Sequence, residues 1–371
     1  MSLVDPQSHR LHDIGFGAYR LQRGNKAENM KSTSIIPNTV AENGFIIGLD
    51  AVAFGNCLSC FANLFCLSER IGVPVIYSHL RKYSEAFEGG MQDKYYHDPR
   101  KTLDLVRADK LLAYVDTLFD GGFDNYEQRV QTVRIEDIRD YKAVSGAVLF
   151  VHSNPNVHVF YDMLDYEEDI REFCSRGNGL VFPRVFWYQY MNMRLMKPYG
   201  DRLREHIGRV DTVWFGPSAS RLEEDAGRLK IAIHMRQNDY RDWNGGRYFF
   251  NTEEYVAICR AIHISLSDKD HVFYIFSDEE IRSDLFDGLP VSIRRGRPYE
   301  DFACLSACDY VIGPPSTFAT WAAFLGKRKR LVLDRPSMER PDQALNELLN
   351  AVEVPFPTGG YLPSAPFGGP V

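Results

Sequence analysis

Five short apolar runs in the second half of the chain constrain its fold more than any other feature. They are LKIAIHM (229–235), HVFYIFSD (271–278), LPVSIRR (289–295), DYVIG (309–313) and RLVLD (330–334). Most are continuously apolar rather than alternating, as strands covered on both faces are. Helical patterns separate them. Thr252 to Leu266 opens at Asn251, with Glu253 and Glu254 suited to the first-turn dipole. An acidic stretch at 279–286 predicts a short helix. Tyr299 to Ala307 and Ser316 to Leu325 predict two more. Strand and helix alternating over short links give a doubly wound, mostly parallel sheet.

The first half repeats the pattern less clearly. GFIIGLD (44–50) and GVPVIYS (72–78) read as buried strands around a helix from Asn56 to Ile71. Lys101 to Phe119 reads as a helix and GAVLFVH (146–152) as a strand. Residues 161–174 and 185–207 mix charge and aromatics as surface helices do. The fold class is therefore α/β with two Rossmann-like units. The expected division is 1–215, a polar linker GPSASRLEEDAGR (216–228), a second unit 229–345, and a Pro/Gly-rich tail 346–371. Residues 1–43 read as irregular.

Composition narrows the function. A formal charge of −7 disfavours a nucleic-acid binder. The seven cysteines are odd in number and mostly sit in apolar segments, so they predict core thiols and a reducing, cytoplasmic setting. Cys57 and Cys60 form one CxxC with no second pair at zinc spacing. The uncharged stretch Ala51 to Ser68 contains Gly55, Asn56, Ser59 and Asn63, which suits a buried helix and not a membrane span. Any membrane contact would be peripheral.

Four constellations could carry chemistry. IAIHMRQNDY (231–240) ends a strand with His234, Arg236, Asp239 and Tyr240, where open α/β sheets bind ligands. His234 and Arg236 share a face by strand alternation. The fork of Arg236 suits a diphosphate, although an Arg236–Asp239 pair could simply close the strand end. VIGPPSTFATWAAFLG (311–326) places Ser316 and Thr317 at a helix start, either as an anion site or as a cap. Asp278 ends a strand, either facing a ribose or base or capping the helix at 279–286. Gly55 and Asn56 form a strand-to-helix turn that allows close approach. No Walker loop or His-Glu-x-x-His appears, and no motif found asks for a metal.

At these residues the chain resembles the fucosyltransferase superfamily, most closely the bacterial α-1,2-fucosyltransferases. The likeness rests on His234-Met-Arg236-Gln-Asn-Asp239-Tyr240, the Phe-Ser-Asp278 strand end, and Ser316-Thr317-Phe318 before an alanine-rich helix. The family's Gly-Asn-Gln loop appears as Gly55-Asn56-Cys57, without the Gln. The resemblance implies a GT-B-like fold of two facing Rossmann-like domains. It implies an inverting, metal-independent glycosyltransferase that moves fucose from GDP-fucose to a glycan hydroxyl in surface polysaccharide synthesis, with no cofactor beyond that donor substrate. Arg236 would grip the diphosphate and Asp239 would be its catalytic neighbour. His234 and Asp278 would contact the nucleotide. Ser316, Thr317 and Phe318 would bind phosphate and shape the sugar pocket, with Gly55 and Asn56 facing them across the cleft. A transferase using another nucleotide sugar, or a non-catalytic glycan-binding protein on the same scaffold, stays open. The acceptor site is expected in residues 80–215.

Overall fold

The computed structural model describes residues 44–49, 53–80, 83, 87, 95–101, 103–118, 132–133, 138, 140–141, 148–151, 166–182, 197–208, 222–294 and 296–335. The expectations for residues 1–43, for 161–165 and 185–196 and for the tail 346–371 lie outside them.

The second half forms the expected sheet. Strands β7 (Leu229–Met235), β8 (His271–Ser277), β9 (Val291–Ile293), β10 (Tyr310–Gly313) and β11 (Lys329–Val332) are all parallel, in the order β11-β10-β7-β8-β9. The long apolar runs β7 and β8 pair over seven residues, from Leu229↔His271 to Met235↔Ser277. The strand order runs outward in both directions from β7. That makes the carboxyl ends of β7 and β10 a topological switch point, where a crevice opens.

The first sheet contains β1 (Phe45–Gly48), β2 (Val75–Tyr77), β3 (Tyr96–His97), β4 (Thr132–Val133), β5 (Val148–Val151) and β6 (Gly179–Phe182), in the order β3-β2-β1-β6-β5-β4. Its pairs are parallel except β2 with β3. Sequence patterning misses β3, β4 and β6. Two are only two residues long, and β6 is a four-residue run directly after a polar turn.

Helices pack around both sheets: α1 (Phe54–Ile71), α2 (Leu105–Leu118), α3 (Glu167–Ser175), α4 (Gly200–Ile207), α5 (Thr252–Ser265), α6 (Pro298–Ala307) and α7 (Thr317–Leu325). The Asn251 cap is a full capping box. Its side chain accepts from Glu254 N, and Glu254 accepts from Asn251 N. The predicted acidic helix at 279–286 is a correction. Only a 3₁₀ turn forms, at Ser283–Phe286, and Ile281 and Phe286 reach the core without a full helix. All seven cysteines are buried thiols. No described helix is long and apolar enough to cross a membrane.

The described end of the expected linker docks on the second sheet. Asp225 is buried, accepts from Tyr274 Oη at 2.7 Å and pairs with Arg228. A single apolar core joins the halves, because α1 and α7 pack against each other inside it. Trp321 is fully buried and donates from Nε1 to Ser59 Oγ at 2.9 Å, and that hydroxyl donates to Gly55 O at 3.0 Å. Phe54 meets Phe302 edge-on at 4.9 Å. Arg204 donates to Phe324 O at 3.0 Å and lies over the Phe324 ring. Where the sequence suggested that Gly55 and Asn56 face α7 across a cleft, they touch it.

Gly55 is required by that contact. A Cβ there would sit 2.5 Å from Phe318 N and 2.8 Å from Thr317 C, both backbone atoms that cannot turn aside. Gly55→Ala is expected to lower stability by about 1–3 kcal/mol, the usual cost of overpacking. Chemical denaturation measures this, and an unchanged midpoint would contradict the close packing.

Candidate active site

A cavity of about 930 Å³ opens at the switch point, between the end of β7, the turn after β10 and the start of α1. It falls in the size range of small-molecule sites. Every candidate residue from the sequence lines it: His234, Arg236, Asp239, Asp278, Ser316, Thr317, Phe318, Gly55 and Asn56. Residues separated by more than 250 positions thus meet at one place.

His234 sits at the penultimate position of β7, with its ring stacked 5.9 Å from Phe318. It is buried, and its Nδ1 has no hydrogen-bond partner. Burial pushes its pKa down to about 3, and the positive charges of Arg330 and Arg236 push the same way. The ring is therefore neutral at physiological pH. Gly313 permits this geometry, since a Cβ there would lie 2.3 Å from His234 O.

Arg236 is held between two carboxylates. Its Nη2 reaches Asp239 Oδ1 at 2.6 Å and its Nη1 lies 3.4 Å from Asp278 Oδ2. Its guanidinium also lies 5.2 Å from the Tyr240 ring centre. Asp278 further accepts from Gln237 N at 2.9 Å, while its own carbonyl accepts from Asn238 Nδ2. Asp278 is thus no helix cap. It ties the loop after β7 to the end of β8 and aims Arg236. Asp239 is committed to the same guanidinium.

At the start of α7, Ser316 is the N-cap and accepts from Ala319 N at 3.4 Å. Thr317 donates to Asn56 Oδ1 at 2.8 Å. Both hydroxyls therefore have protein partners, and Thr317 stitches the two halves together. The cap reading of Ser316 is met. Ser316, Thr317 and Phe318, which open this helix, line the cavity wall.

Tyr240, the last residue of the block at 231–240, donates from its hydroxyl to Pro315 O, fastening the β7 loop to the turn after β10. Burial pushes the Tyr240 phenol up to about 12, so it stays protonated. Further contributors escape sequence reading. Trp243, Tyr83 and Tyr299 add aromatic walls. Asp301, in the first turns of α6, lines the cavity with a buried Oδ1 that has no hydrogen-bond partner. Burial pushes its carboxyl up to about 6. In sequence it is an ordinary acid near a helix start, with nothing to mark it. Among the described residues, no three His, Cys, Asp or Glu side chains are grouped as metal ligands.

The neutral state of His234 has a consequence for acid stability. An unfolded chain protonates this histidine near pH 6.5 and the folded chain does not, so it contributes stability above 6.5 that is lost as pH falls. Replacing His234 by Gln should therefore reduce the slope of stability against pH by about 1.4 kcal/mol per unit well below pH 6.5. Unfolding curves of both proteins between pH 4.5 and 6 measure this. Equal slopes would show that the folded histidine titrates normally.

The sequence matches no protein-family model and no curated protein. Solved structures do resemble the fold. A mutant of Arabidopsis thaliana FUT1 in complex with GDP aligns over 83% of this chain and 74% of its own, at 12% identity and a TM-score of 0.50. The fucosyltransferase NodZ from Bradyrhizobium aligns over 79% and 95%, at 15% identity and a TM-score of 0.42. POFUT1 in complex with GDP-fucose aligns over 79% and 95%, at 10% identity and a TM-score of 0.41. The FUT1 likeness, with the two mostly parallel sheets described above, gives this chain the GT-B fold of α/β glycosyltransferases.

Proposed function

We propose that this protein is a glycosyltransferase that takes a nucleotide sugar, GDP-fucose in the reading favoured here, and transfers the sugar to a glycan hydroxyl. The observation that carries the proposal is the cavity itself. One guanidinium, one neutral histidine and the first turn of α7 converge at the switch point of a Rossmann-like sheet. The fold is shared with FUT1, solved with GDP. The fucosyl donor and the inverting, metal-independent course come from the motif resemblance.

The chemistry fits the groups present. Transfer develops negative charge on the departing diphosphate. A preorganised guanidinium and helix-start amides stabilise that charge as it forms. An entering diphosphate competes with Asp239 for Arg236, so the carboxylate acts as a placeholder that keeps the fork aimed. At the β8–β9 side of the cavity, Asp301 offers an acceptor oxygen in a dry setting. Guanine presents two adjacent N–H donors on its Watson–Crick edge and adenine does not, so a carboxylate here favours guanine. An unsatisfied buried acceptor strongly penalises a ligand that leaves it so.

Calorimetric titration tests this reading with GDP, ADP and UDP. GDP should bind best, and absence of binding at millimolar GDP would sink the proposal. Asp301→Asn should cut GDP affinity by about ten- to a hundredfold, in line with about 1–3 kcal/mol for a lost buried partner. Because the Asp301 carboxyl titrates near 6, its contribution is present above that pH and lost below it. Wild-type and Asp301→Asn affinities should therefore converge as pH falls from 7 to 5. Arg236→Ala should lower turnover by about a hundredfold or more while the fold persists. Mass spectrometry of products from GDP-fucose and a galactoside panel reads the transfer. Nucleotide binding without any transfer would favour a glycan-binding role instead.

A further inference from the structure

The charges around the cavity do not suit an anion if only the lining residues are considered. Among the described residues that line it, Arg236 is the one Arg or Lys. It is already shared between Asp239 and Asp278, and Asp301 adds a third acid. A diphosphate entering such a site meets more carboxylates than cations. The missing positive charge lies one layer deeper.

Arg330, on β11, does not line the cavity. Its residue keeps partial exposure along the edge strand, but its Nε is sealed from solvent and has no hydrogen-bond partner. Nη1 donates to Val311 O at 3.1 Å and to Leu331 O at 3.0 Å, and Nη2 donates to Pro314 O at 2.7 Å. Three carbonyls therefore hold the guanidinium, and no carboxylate pairs with it among the described residues. Burying an unpaired charge is costly and normally selects against such an arrangement. Burial lowers its pKa to about 10, so it remains a cation at neutral pH. Its charge reaches the site, since it depresses the protonation of His234 and acts on the Tyr240 phenol. Its contact with Pro314 O also places it directly behind the turn that delivers Ser316 and Thr317.

We propose that Arg330 is the built-in counter-charge of the anion site: a buried, acid-free guanidinium that makes the diphosphate position attractive without touching the ligand. The inference rests on the nucleotide-sugar reading above. A buried unpaired cation beneath an acid-crowded cavity costs stability in the empty protein and offsets the charge of a diphosphate in the occupied one. Coulomb attraction through a poorly screening interior acts over this range. Arg330 thus favours ligands by their phosphate charge and is indifferent to the nucleoside.

The test measures affinities of the full chain and of Arg330→Lys and Arg330→Met for GDP, GMP, guanosine and inorganic pyrophosphate. In Arg330→Met, GDP affinity should fall on the order of tenfold, GMP by less, and guanosine not at all. Arg330→Lys, which keeps the charge and loses the fork, should hold GDP affinity within about threefold. Unchanged GDP affinity in Arg330→Met would overturn the assignment, as would an equal loss for GDP and guanosine, which marks a purely structural role. If Arg330→Met does not fold, Arg330→Lys decides: a loss of GDP affinity beyond about tenfold refutes the charge role. A wild type that takes no GDP refutes the nucleotide reading separately. Pyrophosphate then judges Arg330, and equal pyrophosphate affinity in wild type and variant, or none in either, overturns it.

Discussion

The contact between the starts of α1 and α7 is the constraint on which the rest of this structure depends. Gly55 brings backbone against backbone, so the two helix starts sit closer than any side chain would allow. Everything nearby follows from that approach. The Trp321 indole reaches Ser59, whose hydroxyl turns to Gly55 O, and a polar pair is satisfied inside an otherwise apolar seam. Thr317 meets Asn56 at the edge of the same seam. The cavity begins where this packing stops, so one wall comes from each half of the chain.

The electrostatics of the site are arranged in layers. The lining combines aromatic walls with three acids, and Arg236 is braced by Asp239 and Asp278. His234 lines the same wall, kept neutral by burial and by the cations beside it. Deeper is Arg330, bonded only to carbonyls. This order reconciles an acidic protein with the proposed diphosphate site. Overall charge describes the surface that solvent sees, whereas an anion in a cavity responds most to the few fixed charges around it.

The legibility of the fold followed strand length and burial. β7 and β8 are seven residues long and covered on both faces, so their apolar runs stand out. β3 and β4 are two residues long and β6 only four, lengths at which a period cannot be told from chance. The stretch at 279–286 read as a helix because of its acids, but Ile281 and Phe286 reach the core from a loop and a single 3₁₀ turn. The candidate site was legible for a different reason. Arg236, Ser316 and Thr317 lie just after strand ends and His234 just before one, where topology places ligands, so local order in sequence predicts proximity in space. Asp301 and Arg330 lacked that advantage. One sits a turn into a helix and the other in a strand among basic residues, and only burial reveals what each lacks as a partner.

The helix α7 shows why the site and the core cannot be separated. Its first turn must end in polar groups, because backbone amides there have no partners within the helix. Ser316 meets that demand by accepting from Ala319 N, while the Thr317 hydroxyl donates to Asn56. From Ala319 to Leu325 the same helix is buried, with Trp321 and Phe324 meeting edge-on. A nine-residue helix thus carries an anion-facing end and a core-filling body, and its axis sets the distance between them. The turn before it is fastened from two sides, by Tyr240 on Pro315 O and by Arg330 on Pro314 O. Neither end can shift without moving the other. Preorganisation of this kind is what leaving-group stabilisation requires, since donors that must move to meet the developing charge lose much of their benefit.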